Sequence, residues 1–409
     1  MTSNGEGSSH RLERFAELVL KIGANLAPGQ DVLINGLIEH APFARALAQE
    51  AYRLGARYVD VNYSEPHARK ARIEHAPEDT LGWIPPWIDG RIDWSIDAEA
   101  AHISIAGDPE PDLLAQADPQ RSSLERTNFP PARVRQINSE QVNWTIVPYP
   151  SPGWAKSVYG EPDVERLWKD IEQFMRLDQP DPVAAWQAHI EKLENRARQL
   201  NGLGLDAVHF EGPGTDLTIG LMERSRWLAA SFTTKWGRKH IPNMPTEEVF
   251  TTPDYRRTEG TVRATRPLAL SGKVIRDLEM RFENGRAVEV KASTGGKVVS
   301  GEQATDENAA MLGEVALVDG SSPIGQSGNV YLNTLFDENA TCHIAYGSGY
   351  PHAVEGAEAL DNTAQHELGI NKSRVHTDFM VGGPEVMVTG VMKDGKLIPI
   401  IENDEWQLS

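Results

Sequence analysis

Five side chains in the second half of this 409-residue chain have the types and spacing to hold divalent metal ions. His376-Thr-Asp378 lies in an extended run, where alternation puts the imidazole and the carboxylate on one face about one pleat apart, half of a metal site. His343, in His343-Ile-Ala-Tyr-Gly, offers a second imidazole. Glu248 in Pro245-Thr-Glu-Glu248-Val-Phe and Glu314 in Met311-Leu-Gly-Glu314-Val-Ala offer further oxygens from apolar surroundings. A carboxylate there is costly to bury unless it is paired or metal-bound. Imidazole with carboxylate suits zinc, cobalt, manganese or magnesium, whereas calcium takes oxygen almost exclusively. Three carboxylates bring −3, so one divalent ion leaves the pocket anionic, while two leave +1 for a bridging hydroxide to neutralise. The arithmetic favours two ions about 3.5 to 4 Å apart, which lower the pKa of water and polarise a carbonyl, so the expectation is a metallohydrolase.

Other chemistry fits parts of this set. His376-x-Asp378 with a distant His343 also mimics the facial triad of a mononuclear iron oxygenase, but leaves Glu248 and Glu314 without a role. An amidase or deaminase acting on a small amide could use the same two-metal centre. A catalytically silent scaffold would not need all five donors.

The elements that must position these residues read as two domains, the default for a chain of this length. Leu12, Phe15, Leu18, Val19 and Ile22 recur at helical spacing over 11–26, up to the Pro28-Gly29 turn. A strand at Asp31-Val-Leu-Ile-Asn, a helix over Ala41–Leu54 and a strand at Tyr58–Tyr63 form a βαβ unit and imply a parallel sheet. Ala101–Ala106 and Trp144–Val147 read as further buried strands. In the less regular stretch from Glu65 to Pro131, Trp83, Pro85, Pro86, Trp87 and Trp94 are expected to pack against one another between helices, with a substrate lid as the alternative. Residues 1–181 are therefore expected to be a doubly wound α/β domain. Asp181 and Pro182 then cap a long helix over Val183–Leu200. From Ala207 onward short alternating runs and tight Gly turns predict a mainly-β, α+β domain over 182–409, with a helix at Ala304–Leu312. That domain holds every candidate ligand.

Composition narrows the partners. A formal charge of −19 argues against nucleic acid or an anionic membrane surface, which need a basic footprint. No run of about 18 apolar residues occurs, so no membrane span is expected. No glycine-rich nucleotide loop follows any strand of the first domain. The single cysteine, Cys342, permits no intrachain disulfide, and a cytoplasmic location is the expectation. The sequon Asn339-Ala-Thr is of a kind common by chance.

Four separated segments also carry a family resemblance: Asn243-Met-Pro-Thr-Glu-Glu248-Val-Phe-Thr-Thr-Pro, Leu312-Gly-Glu314-Val-Ala-Leu-Val, Asn333-Thr-Leu-Phe-Asp-Glu-Asn-Ala-Thr-Cys-His343-Ile-Ala-Tyr-Gly and His376-Thr-Asp378-Phe-Met. In this order they resemble the signature segments of the thermophilic metallo-aminopeptidases, the family of aminopeptidase T and aminopeptidase S. Ala27-Pro-Gly-Gln-Asp-Val-Leu-Ile and Gly214-Thr-Asp-Leu extend the resemblance over almost the whole chain. It implies a homodimeric exopeptidase with two divalent metals that hydrolyses the first peptide bond of peptides with a free N-terminus. Its ligands fall on Glu248, Glu314, His343, His376 and Asp378, and its active-site tyrosine on Tyr350. Glu247 departs from the family pattern, where a small residue is expected, and leaves open which of Glu247 and Glu248 faces the metal. Glu247 is also a candidate proton shuttle, though a surface position is the plainer expectation.

Overall fold

The β-branched runs at 31, 58, 101 and 144 become one parallel sheet. In the computed structural model, which describes residues 3–114, 116–126, 130, 132–133, 135–136 and 140–409, the chain divides into two compact units. One unit is Met1–Gln187 with Ser231–Met244; the other is Ala188–Ala230 with Pro245–Ser409.

In the first unit, β1 (Asp31–Leu37), β2 (Tyr58–Ser64), β3 (Ala101–Ala106) and β4 (Trp144–Pro148) lie in the order β2-β1-β3-β4, all parallel. The reversal of direction at β1 is the doubly wound pattern. Val32, Leu33 and Ile34 of β1 are buried, as are Phe43, Ala44, Leu47 and Ala51 of the crossover helix Ala41–Arg53, so the helix closes over the sheet with its apolar stripe. Burying each such large aliphatic or aromatic side chain stabilises the unit by about 1.5–3 kcal/mol. The N-terminal helix Ser3–Leu18 runs on through a π-helical turn, Val19–Gly23. Gly23 permits a close approach there, since a Cβ would sit 2.8 Å from the Met244 sulfur.

Two sequence expectations are corrected. Trp83 and Trp87 are 58% and 71% exposed, so they are not buried between helices. The helix expected at Ala304–Leu312 lies earlier, at Gly296–Gln303, and the chain then passes through turns into a strand beginning at Leu312. Asp306 explains the break: its carboxylate accepts from the Asn308, Ser373 and Arg374 groups, holding the backbone in a turn instead of a helix.

The helix Pro182–Leu203 starts as its cap foretells, with Asp181 accepting the Ala184 N–H at 3.0 Å. The second unit contains an eight-stranded antiparallel sheet running from Arg286–Lys291 through Pro253–Arg263 and Ala207–Gly212 to Glu405–Trp406. It also contains a four-stranded antiparallel sheet, β5 (Val249–Thr251), β6 (Leu312–Leu317), β7 (His343–Gly347) and β8 (His376–Met380), in the order β8-β7-β6-β5. All six residues of β6 and all five of β7 are buried, which makes this sheet the rigid floor of the candidate site.

Candidate metal centre

Register brings the acidic residues into one row. Glu314 of β6 pairs with Ala345 of β7, and Ala345 pairs with Asp378 of β8, so the two carboxylates flank a methyl group on one face. Along β7, His343, Ala345 and Gly347 share that face; along β8, His376, Asp378 and Met380 do. His376 stands opposite Gly347, which has no side chain, at the end of the ladder. Glu248 precedes β5, and its carboxylate reaches His343.

The aim of Glu314 depends on Gly313. The β6–β7 ladder shifts register between Leu312 and Glu314, a bulge that redirects the strand. A Cβ on Gly313 would collide with the carbonyl oxygens of Gly347 and Ser348, so only glycine lets the two backbones close.

Two groups of donors result. Glu248, Glu314 and His343 each present a ligand atom within 4.8 Å of the others, and so do Glu314, His376 and Asp378; Glu314 belongs to both. His343 Nε2 is 3.0 Å from Glu248 Oε2, and His376 Nε2 is 3.1 Å from Glu314 Oε2 and 3.6 Å from Asp378 Oδ1. The far nitrogen of each ring meets a carbonyl: His376 Nδ1 donates to Ser348 O at 2.8 Å, and His343 Nδ1 faces Thr341 O at 3.4 Å. A carbonyl at Nδ1 fixes the proton there and leaves the Nε2 lone pair pointing among the carboxylates, the tautomer a metal ligand needs.

Electrostatics reflect the crowding. Burial, reinforced by Asp378 and Glu248, pushes Glu314 up to about 7. Burial disfavours a charged His343, yet Glu248, Asp378 and Glu314 together push it up to about 10. Burial and the same carboxylates raise Tyr350 well above its ordinary value, so its phenol stays protonated. The hydroxyl lies 3.0 Å from His376 Nε2, and the Tyr350 backbone exchanges two hydrogen bonds with the Thr252 hydroxyl, at 2.9 and 3.0 Å.

Glu247 does not join this cluster. It is 4% exposed, not on the surface as expected, and its carboxylate lies 3.4 Å from Nε2 of His189 on the long helix. Glu338, which sequence reasoning passed over, is buried beside the cluster, and burial together with Asp378 and Glu248 raises it well above the usual carboxylate range. Its signal was present: Asp337-Glu338-Asn339 is polar but sits between Leu335-Phe336 and Ala340-Thr-Cys342. Among the described residues no helix is long and apolar enough to cross a membrane.

The donor set fits divalent ions. Glu248 Oε2 and Asp378 Oδ1 are buried with no polar partner beyond the imidazoles of His343 and His376, 3.0 and 3.6 Å away, an arrangement that costs stability unless a cation satisfies them. The potential that draws the imidazoles up in pKa attracts a cation equally. The His343–Glu248 and His376–Glu314 donor pairs, 3.0 and 3.1 Å apart, are close enough for both members to reach one ion at ligand distances of about 2.0–2.2 Å.

Comparison with known proteins agrees with this chemistry. Residues 8–406 match the profile described as thermophilic metalloprotease (M29). The chain is 42% identical over 403 residues to aminopeptidase T of Thermus thermophilus, covering 97% of this chain and 98% of the relative. It is 36% identical over 404 residues to aminopeptidase PepS of Streptococcus thermophilus, covering 97% of each. The solved structure of wild-type AmpT from Thermus thermophilus superposes with a TM-score of 0.90 at 40% identity, covering 97% of this chain and 99% of that one. The family read from four separated segments is thus matched across nearly the entire length, and the chain belongs to the thermophilic metalloprotease (M29) family of hydrolases.

Proposed function

We propose that this protein is a metal-dependent aminopeptidase that releases the N-terminal residue of peptides, with two divalent ions held by Glu248, Glu314, His343, His376 and Asp378. The observation that carries the reading is that Glu314 belongs to both donor groups, so it would be a ligand common to the two ions these residues would hold. When bound, such ions supply Lewis acidity and lower the pKa of water. The chain's own groups do the rest. Ser348 and Thr341 carbonyls hold the imidazoles in register. Tyr350, protonated and fixed through Thr252, donates to the oxygen on which charge develops as the scissile carbonyl becomes tetrahedral. The acidic pocket, in a chain of charge −19, favours a substrate with a free amino terminus.

We assign catalysis to the second unit, and take the protein to act as a homodimer in the cytoplasm. Family resemblance supports the dimer, and the lone buried Cys342, whose thiol donates to Val318 O at 3.3 Å, suits a reducing compartment. Anomalous scattering and metal analysis test the centre: two ions per subunit are expected. Aminoacyl-anilides should be cleaved and their N-acylated forms should not. Equal cleavage of simple amides would assign the centre to an amidase, and one tightly bound iron with oxygen-dependent turnover would reject the peptidase reading.

A further inference from the structure

We infer that Asn339 is a positioning residue for the metal centre, clamping together the two chain segments that carry Glu248 and Glu338; this rests on the metal-centre reading above. Asn339 is fully buried, so the sequon Asn339-Ala-Thr341 is no glycosylation acceptor and its side chain serves the interior. Its Oδ1 accepts the backbone N–H of Glu247 at 2.7 Å, across 92 residues of sequence. That bond fixes the backbone between two acidic residues that diverge, Glu247 toward His189 and Glu248 toward His343. Its Nδ2 donates to Leu335 O at 3.1 Å and faces Glu338 Oε1 at 3.4 Å. The Asn339 carbonyl accepts the Ser322 hydroxyl at 2.6 Å, so the amide is held from the backbone side as well. An acceptor and a donor on one short planar side chain are both needed, a combination that Asn supplies and Asp does not.

The test uses full-length Asn339→Ala and Asn339→Asp proteins titrated with cobalt(II) alone, read by the visible absorption of the bound ion and by the melting midpoint of the metal-free protein. Asn339→Ala is expected to bind cobalt about 10–100-fold more weakly, the usual effect of losing a residue that supports ligands, and to show an altered spectrum. Asn339→Asp keeps the shape and the acceptor for Glu247 but turns a carboxylate toward Glu338, so it should fold and also show an altered spectrum; it decides the matter if the alanine variant does not fold. A folded variant with the wild-type spectrum and affinity, differing only in melting midpoint, overturns the inference and leaves Asn339 a structural residue. Wild-type protein that takes up no cobalt defeats the metal-centre reading itself, a result distinct from unchanged variants of a metal-binding wild type.

Discussion

The phenolic oxygen of Tyr350 stands 3.0 Å from His376 Nε2, the nitrogen that also faces Glu314 at 3.1 Å. The Tyr350 ring is held against Phe250 and His376, with centroids 5.8 and 4.9 Å away, so removing the hydroxyl alone leaves its packing intact. Tyr350→Phe should therefore retain its metal, while kcat falls by about 100- to 1000-fold, as when one donor to a developing oxyanion is lost. Metal analysis beside steady-state kinetics checks this, and an unchanged kcat would remove Tyr350 from the chemistry.

Adjacent glutamates should behave differently. Glu248→Gln removes an oxygen that faces His343 and should lower kcat/KM by more than about 100-fold, beyond the range for residues that only support ligands, with loss of bound metal. Glu247→Gln keeps a polar partner for His189 and should lower it by less than about tenfold with metal content unchanged. The reverse ranking would exchange the roles of the two residues.

Acid should weaken the first unit through His102. Its ring is buried and contacts Gln136 at 3.2 Å; burial first, then Arg133 and Arg91, lower its pKa to about 3. The unfolded value is about 6.5, so the unfolded chain takes the proton first. Stability from neutral His102 is fully present above pH 6.5 and is lost as pH falls from there toward 3. Between pH 7 and 4.5 the wild type should lose on the order of 2 kcal/mol more than His102→Gln, measured by denaturant unfolding at each pH. Equal losses would show that His102 does not report on acid unfolding.

Arg196 and Asp319 form a buried ion pair in the second unit, with Nη1 3.1 Å from Oδ1, and Asp319 also accepts the Ser321 hydroxyl at 2.6 Å. Asp319→Ala strands the guanidinium and should cost about 3–5 kcal/mol in an equilibrium unfolding experiment. A change below about 1 kcal/mol, the range of exposed pairs, would mean that water reaches the site.

What the chain disclosed from sequence follows the range of the interactions involved. The β1–β4 strands and the cap of the Pro182 helix are local patterns, and they emerge where alternation and capping chemistry put them. His376 and Asp378 were legible as a pair because they are two residues apart on one strand. Glu338 left only a local trace, a polar run between apolar neighbours, and its place beside the ligands depends on segments far away in the chain. The membership of Ser231–Met244 in the first unit was not legible, because that short stretch joins it through contacts such as Met244 N–H to Ile146 O at 3.0 Å. The misplaced helix at 304–312 reflects capture of the backbone by Asp306 in concert with Ser373 and Arg374, a long-range effect invisible to periodicity. Trp83 and Trp87 show the converse: large apolar side chains predict burial only as a tendency.

The missing side chain at position 313 has a further bearing on engineering. Because an empty space and two carbonyl oxygens set the direction of Glu314, no repacking of neighbouring side chains can restore that direction once a methyl group is added there. Even Gly313→Ala, the smallest possible enlargement, would wedge two strands apart and swing the shared carboxylate out of alignment while every donor atom remained chemically intact. Catalytic failure in such a protein would come from the width of the seam between strands, and restoring it would require moving the backbone itself.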